Sequence, residues 1–352
     1  MVRAMAGPGR VSEPRIRALG LMSGGLDSAL AARLLIDQGI EVIGLHLEAP
    51  TACRSNVREL AGELGIELVT RPKGEEYVKL LRNPKWGYGR HMNPCVDCRL
   101  FMFRIASEYL EPLDARFVFT GEVVGQRPMS QRRASLALVD RESGLAGRIL
   151  RPLSARLLPE TEAEQRGWVD RARLLDISGR GRDTQLALAQ KIGLRHHTAP
   201  GGGCLLTDPH FSVRLQDLFD HQPEGETRVV DLELLRLGRH VRVRGDLKVI
   251  LGRDEHENRR LHDYAAEERW VVEPIGFGGP TALVCGAPGA EALEAAAGLI
   301  ASHSRVVPAG ARVRWQAGQA QGERLVPADP GLPGVGAAPP ADTFLTTPSG
   351  AA

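Results

Sequence analysis

Hydrophobic and polar positions follow two regimes along this chain. Up to residue 120, short apolar runs recur at 17–22, 41–47, 66–70 and 116–120. Their length and their Gly, Pro and Asp borders predict strands. Between them, apolar positions at helical spacing predict helices over 28–38, 53–64 and 98–111. Such alternation predicts an α/β fold, a doubly wound parallel sheet with helices on both faces, and places ligands at the carboxyl ends of the strands. From 125 to 204 the chain is Arg-rich and irregular, with helices predicted at 161–173 and 183–193. Beyond about 205, strand-like runs at 241–244, 247–251 and 281–285 and helical patterns at 254–268 and 290–303 predict a smaller α+β C-terminal domain. The expected organisation is a loose N-terminus at 1–16, a first domain at 17–208, a second at 209–310, and a disordered Gly/Pro/Ala-rich tail at 317–352.

The most informative segment is Ser23-Gly24-Gly25-Leu26-Asp27-Ser28, between the first strand and the first helix. A strand, a glycine turn and a helix N-terminus leave backbone N–H groups unpaired and aim the positive end of the helix dipole at one point. Ser23 and Ser28 add hydroxyl donors. Asp27 stands where a carboxylate could hold Mg²⁺ beside a phosphate. The lysine of the G-x-x-x-x-G-K-[ST] phosphate loop is missing, so this is a different anion cradle. His46-Leu47-Glu48 and Thr120-Gly121-Glu122 fall at the ends of later strands and line up with the same edge. His46 is expected to line an adenine pocket, or else to be a satisfied core residue.

Charge alters the picture modestly. Residues 1–200 carry 30 Lys+Arg against 23 Asp+Glu, a balance of +7; residues 201–352 carry 15 against 20, a balance of −5. The basic excess accompanies the phosphate-binding half, as a polyanionic partner would require. Arg127, Arg132 and Arg133 in 125–133, and Arg180 and Arg182 in 178–182, lie in glycine-punctuated stretches and are read as tRNA-phosphate or ATP contacts, RNA binding being the assigned role, against the alternative of a solvated basic surface. Lys85-Trp86-Gly87-Tyr88-Gly89-Arg90 reads either as a stacking loop or as a packed flap. No run of eighteen apolar residues occurs, so no spanning helix and no membrane partner are expected. Met1–Pro14 lacks an apolar signal core, which predicts a cytoplasmic protein.

Cysteine usage supplies the second motif. Asn93-Pro94-Cys95-Val96-Asp97-Cys98 brings two sulfurs together, with Cys98 expected to open a helix, and Cys204 follows three glycines. Three cysteines can hold a [4Fe–4S] cluster by three of its irons; one can instead carry a persulfide that another resolves; a structural zinc is the third reading, with His91, His196 or His197 as fourth ligand. Cys53, expected to open the second helix, and Cys285 read as structural.

The string at 23–28 resembles the PP-loop of the ATP pyrophosphatase superfamily. With the cysteines, residues 17–208 resemble the tRNA thiolation enzymes, the MnmA-type 2-thiouridylases and ThiI-type 4-thiouridine synthases. Cys95 matches the first MnmA-like cysteine and Cys204, by order, the second; Thr120-Gly121-Glu122 stands where MnmA relatives read T-G-H. The resemblance implies an ATP-dependent tRNA sulfurtransferase, releasing AMP and pyrophosphate, that adenylates a uridine carbonyl oxygen and then inserts sulfur. It implies ATP held by Ser23, Gly24, Gly25, Asp27, Ser28, His46 and Gly121, with catalysis by Asp27, Cys95 and Cys204. It also implies Mg²⁺, a cluster or persulfide on Cys95, Cys98 and Cys204, and a sulfur donor such as a cysteine desulfurase or free sulfide. The departures are Glu122 in place of histidine, and the lack of a preceding THUMP or following rhodanese-like region, so a branch with its own C-terminal domain is expected. Val249–Asn258, containing Gly252-Arg253 and Glu257-Asn258, resembles the G-R-x-x-x-E-N stretch of NFACT-type RNA-binding domains, and Gly279-Pro280-Thr281-Ala282-Leu283 their later G-P strand. Two rival functions remain: a PP-loop synthetase or amidotransferase acting on a small molecule, and an RNA-binding protein with a vestigial PP-loop.

Overall fold

The structure, a computed structural model, describes residues 15–53, 55–197, 204–286 and 289–326. The chain divides into two compact units between Ser212 and Val213.

In the first unit the order is β1 (Arg17–Leu21), α1 (Leu26–Ile36), β2 (Glu41–Glu48), α2 (Val57–Leu64), β3 (Glu67–Pro72), α3 (Gly74–Arg82), α4 (Cys95–Leu110), β4 (Ala115–Thr120), α5 (Arg133–Glu142), β5 (Ile149–Leu150), α6 (Glu162–Gln165) and α7 (Asp183–Ile192). The strands form one parallel sheet in the order β3-β2-β1-β4-β5. The order reverses at β1, with β2 on one side and β4 on the other, which opens a crevice beyond their carboxyl ends. The helix α1 is apolar nearly all round: Leu26, Ala29, Leu30, Ala31, Ala32 and Leu35 are buried, together with Ala18 of β1 and Phe117 and Phe119 of β4. That packing fixes the start of α1 against the sheet edge.

α8 (Pro209–His221) leads into the second unit, which continues with α9 (Val229–Leu234), β6 (Arg239–Arg244), β7 (Leu247–Leu251), α10 (Glu255–His262), β8 (Arg269–Ile275), β9 (Ala282–Gly286), α11 (Ala290–Ser302), β10 (Arg312–Ala317) and β11 (Ala320–Leu325). Its antiparallel sheet runs β11-β10-β8-β9-β7-β6. α11 buries Ala292, Leu293, Ala296, Ala297 and Ile300 in a core with Val249, Val272, Val284 and Val313. The α/β first domain and the α+β second domain therefore stand as the hydrophobic pattern predicts.

Several boundaries do not. The second helix starts at Val57, so Cys53 precedes it, and the fourth starts at Cys95 rather than Cys98, with Pro94 at its N-cap. Only Glu162–Gln165 of the 161–173 stretch is α-helical: Thr161 and Glu164 cap it, and Gly167 turns the chain away at φ 69°. The pattern at 254–268 stops at His262, because Ala266 N–H donates to Arg269 O at 2.9 Å and turns the chain into the unpredicted β8. The tail expected to be disordered from 317 contributes a strand, Ala320–Leu325, joined to β10 by a two-residue turn at 318–319. Its polar sequence has no apolar face of its own; pairing with β10 orders it. The remaining tail, 327–352, and residues 1–14 lie outside the described residues. Among the described residues no helix is long and apolar enough to cross a membrane.

Candidate functional site

A cavity of about 260 Å³ lies at the crevice and is lined by Ser23, Gly25, Asp27 and Ser28 of the loop, His46, Gly121 and Cys204. Gly24 takes φ 76°, and a Cβ there would sit 2.1 Å from Ser55 Oγ, so only glycine makes this turn. No side chain caps α1: Gly25 is the N-cap, and the first intrahelical bond is Ala29 N–H to Gly25 O at 3.2 Å. Gly25 N–H donates to Ser23 Oγ at 3.4 Å, and the N–H groups of Leu26, Asp27 and Ser28, at the positive end of the helix dipole, are open to an anion. Ser28 Oγ donates back to Gly25 O at 2.8 Å, and Ser55 Oγ to Ser23 O at 2.9 Å, which braces the loop. At the end of β4, a Cβ on Gly121 would lie 2.3 Å from the Asp27 carbonyl carbon and 2.4 Å from Ser28 N. Gly121 thus acts by letting two backbones touch.

Asp27 Oδ2 accepts from Gln126 Nε2 at 2.8 Å and lies 3.7 Å from Arg182 Nη2. Its Oδ1 is buried without a hydrogen-bond partner, as are Gln126 Oε1 and Gln131 Oε1. Unpaired hard oxygens beside a phosphate cradle suit Mg²⁺ and its waters, so the residues fit that ion. His46 Nδ1 sits 2.8 Å from the Met22 carbonyl. A carbonyl only accepts, so Nδ1 carries the proton.

Cys95 and Cys98 share the first turn of α4, and neither lines the cavity. Asn93 Nδ2 donates to Cys95 Sγ at 3.2 Å, and Lys73 Nζ, which does line it, donates to Cys98 Sγ at 3.2 Å. Cys204 bridges to Ala52, and the next N–H, of Leu205, donates to Thr51 O at 2.8 Å. The buried Tyr77 hydroxyl lies 2.9 Å from Thr51 Oγ1, and its pKa rises through burial and then the fields of Cys98, Cys204 and Cys95. Burial, then Cys98, pushes the Cys204 thiol up to about 12. Among the described residues no three Cys, His, Asp or Glu side chains are placed to hold one metal ion. A [4Fe–4S] cluster asks something different, since each sulfur takes a separate iron. Cys95, Cys98 and Cys204 lie near enough for their charges to act on one hydroxyl, and the Lys73 ammonium beside Cys98 would offset negative charge, which suits that donor chemistry. The backbone N–H groups of His196 and Arg195 donate to Glu63, at 2.8 and 2.9 Å. The glycines 201–203 lie outside the described residues.

The arginines separate into two sets. Arg127 and Arg182 line the cavity, brought together because Gly179 N–H donates to Val124 O at 2.8 Å. Arg132, Arg133 and Arg180 are exposed and do not line it; Arg132 and Arg133 open α5, which the sequence pattern missed. The 85–90 segment is a pinned flap. Asp97 accepts the N–H groups of Lys85 and Trp86 at 2.9 and 3.1 Å, and Tyr88 Oη donates to Leu81 O at 2.6 Å. Sequence reasoning also missed Lys73, Arg99 and Ser55. Lys73 follows β3, so the strand-end rule that selected His46 would have found it.

In the second unit the motif residues stitch the fold. Asn258 Oδ1 accepts from Thr281 N at 3.0 Å, Gly252 N–H donates to Thr281 O at 2.9 Å, and Glu257 accepts the N–H groups of Arg253 and Gly238 at 2.9 and 3.2 Å.

Residues 15–156 match the family model ThiI, described as a thiamine biosynthesis protein, and residues 238–326 match NFACT-R_2, the NFACT protein RNA binding domain. The tRNA-specific 2-thiouridylase MnmA 3 of Bacteroides fragilis is 32% identical over 115 residues, 32% of each chain. A probable tRNA sulfurtransferase of Thermococcus kodakarensis is 28% identical over 146 residues, 39% of this chain and 36% of the relative. The matched region thus spans about a third of these curated relatives. Among solved structures, a 4-thiouridine synthetase–RNA complex with bound ATP aligns at 20% identity and a TM-score of 0.36, over 62% of this chain and 52% of that one. The chain therefore carries a ThiI-type domain of the PP-loop superfamily at residues 15–156, followed by an NFACT-R-type domain at 238–326.

Proposed function

We propose that this chain is an ATP-dependent tRNA sulfurtransferase that converts a uridine to a thiouridine. The observation that carries the reading is one cavity lined by both an open glycine loop at a helix N-terminus and Cys204. The free N–H groups of α1 and the Ser23 hydroxyl bind the phosphates of ATP. Gln126 and Arg182 fix Asp27, and the Met22 carbonyl fixes the His46 ring against the nucleotide. The uridine carbonyl oxygen attacks the α-phosphorus and pyrophosphate leaves. Sulfur then attacks the activated carbon and AMP departs with the oxygen. Mg²⁺ at Asp27 Oδ1 would neutralise charge on the phosphates. A [4Fe–4S] cluster on Cys95, Cys98 and Cys204 would supply an iron without a protein ligand, able to carry sulfur. The NFACT-R-type domain supplies RNA contacts, and a cysteine desulfurase or free sulfide supplies the sulfur.

Unmodified tRNA, ATP and sulfide are incubated anaerobically with the full chain, and thiouridine and AMP are measured together. Cys204→Ala should abolish thiolation while leaving ATP binding intact; normal thiolation by that variant would sink the assignment. Iron analysis of the same preparation separates the sulfur routes. About four irons per chain with activity on sulfide supports the cluster; an iron-free protein that is inactive with sulfide but active once cysteine and a cysteine desulfurase supply sulfane sulfur supports the persulfide.

A further inference from the structure

The cavity has a cationic wall that the phosphate loop does not account for. Arg99, Arg127 and Arg182 all line it. Arg182 faces Asp27, whereas Arg99 is paired from behind: its Nε lies 3.2 Å from Glu122 Oε1 in an ion pair that leaves this oxygen without a hydrogen bond, and the Glu122 side chain is 2% exposed. Glu122 is gripped in turn by Arg151 Nε at 3.1 Å and Thr120 Oγ1 at 3.3 Å. Arg151, also 2% exposed, forks onto Asp140 at 2.7 and 3.0 Å. Asp140, Arg151, Glu122 and Arg99 thus alternate in sign from α5 to the cavity. Burial would raise the Glu122 carboxyl, but Arg99 and Arg151 outweigh it and hold it ionised, below its usual range.

A buried ion chain is weak evidence of stabilisation, since apolar side chains of the same volume often do as well. What this one fixes is the direction of Arg99. Beside it, Arg127 has no carboxylate partner among the described residues. Burial and then the like charges of Arg99 and Arg182 lower the Arg127 pKa, so the wall is short of negative charge. We propose that Glu122 is a positioning residue which, braced by Arg151 and Asp140, holds Arg99 beside Arg127 as a seat for the pyrophosphate end of ATP. The seat rests on the reading of residues 23–28 as a nucleotide phosphate loop. The loop's N–H groups take one side of the anion and the guanidiniums the other, where charge builds as pyrophosphate leaves.

The test titrates the full chain with inorganic pyrophosphate and, separately, with AMP. Arg99→Met should weaken pyrophosphate binding about tenfold or more and leave AMP binding within about twofold. Glu122→Asp keeps the charge but is one methylene too short to span both arginines, and should cause a comparable loss. The double variant should bind no worse than Arg99→Met, because Glu122 acts through Arg99. Unaltered pyrophosphate binding by Arg99→Met, or single losses that multiply in the double variant, would overturn the seat while leaving the phosphate loop standing. Wild-type protein that binds neither probe overturns both. Should Glu122→Asp not fold, Arg127→Met and Arg99→Met decide: wild-type pyrophosphate affinity in either one overturns the seat.

Discussion

Gly121 shows how little room the site leaves at the scale of single residues. A Cβ there would overlap the backbone of Asp27 and Ser28, which cannot move aside as a flexible side chain would. Gly121→Ala should displace the start of α1 and weaken ATP binding by about 1–3 kcal/mol, read by equilibrium dialysis beside a thermal melt. Unchanged affinity would mean that the loop tolerates a shift the packing forbids. Cys204 offers a chemical test. With its thiol pushed up to about 12 by burial, the reactive thiolate is scarce at pH 8. Iodoacetamide should modify it at least about a hundredfold more slowly than a free cysteine, measured by peptide mass mapping.

Among elements, the decisive contacts are electrostatic braces. Arg151→Met would leave the buried Glu122 carboxylate with Arg99 and Thr120 alone, and Asp140 without its arginine. Removing one partner of such a buried pair costs about 3–5 kcal/mol, which a denaturant titration would register. In the second unit, Glu257 holds the α10 corner, and the Arg253 side chain keeps its carboxyl at about 2, well below the usual glutamate range. Burial would raise Asp217, but Arg242 and Lys248 outweigh it and keep this carboxyl likewise at about 2. A depressed carboxyl stabilises the fold above its unfolded pKa, and that contribution is lost as pH falls through the folded value. The denaturation midpoint of this unit should therefore drop between about pH 4.5 and pH 2, and Glu257→Gln should flatten the drop.

For the whole molecule, the separate cores matter most. The first unit buries β1, α1 and β4, and the second buries α11 against its own antiparallel sheet. Each has an apolar interior of its own, so residues 213–326 should unfold as a cooperative unit when expressed alone, followed by circular dichroism. A fragment without a sigmoidal transition would show that its sheet needs the rest of the chain. At this scale the motif Gly252–Asn258 is read as fold-holding, because its polar groups are used up between β7, α10 and β9. RNA contacts in this unit would have to come from other residues.

Sequence alone determined whatever depends on local period and local chemistry. Apolar runs of strand length fixed the parallel sheet, and a glycine turn before a helix fixed an uncapped N-terminus at the sheet edge, because helix ends leave N–H groups open wherever they occur. The three cysteines were legible as a set from their spacing and their glycines. Tertiary structure decided the rest. Nothing near Glu122 in the chain names Arg99 or Arg151 as its partners, which lie 23 and 29 residues away. Only the crossing of β4 with α4 and β5 brings them together. The split of the arginines into cavity and surface sets, and the ordering of the strand at 320–325 by β10, have the same origin. Long-range pairing sets which charges meet and which edges are covered, and no local pattern encodes it.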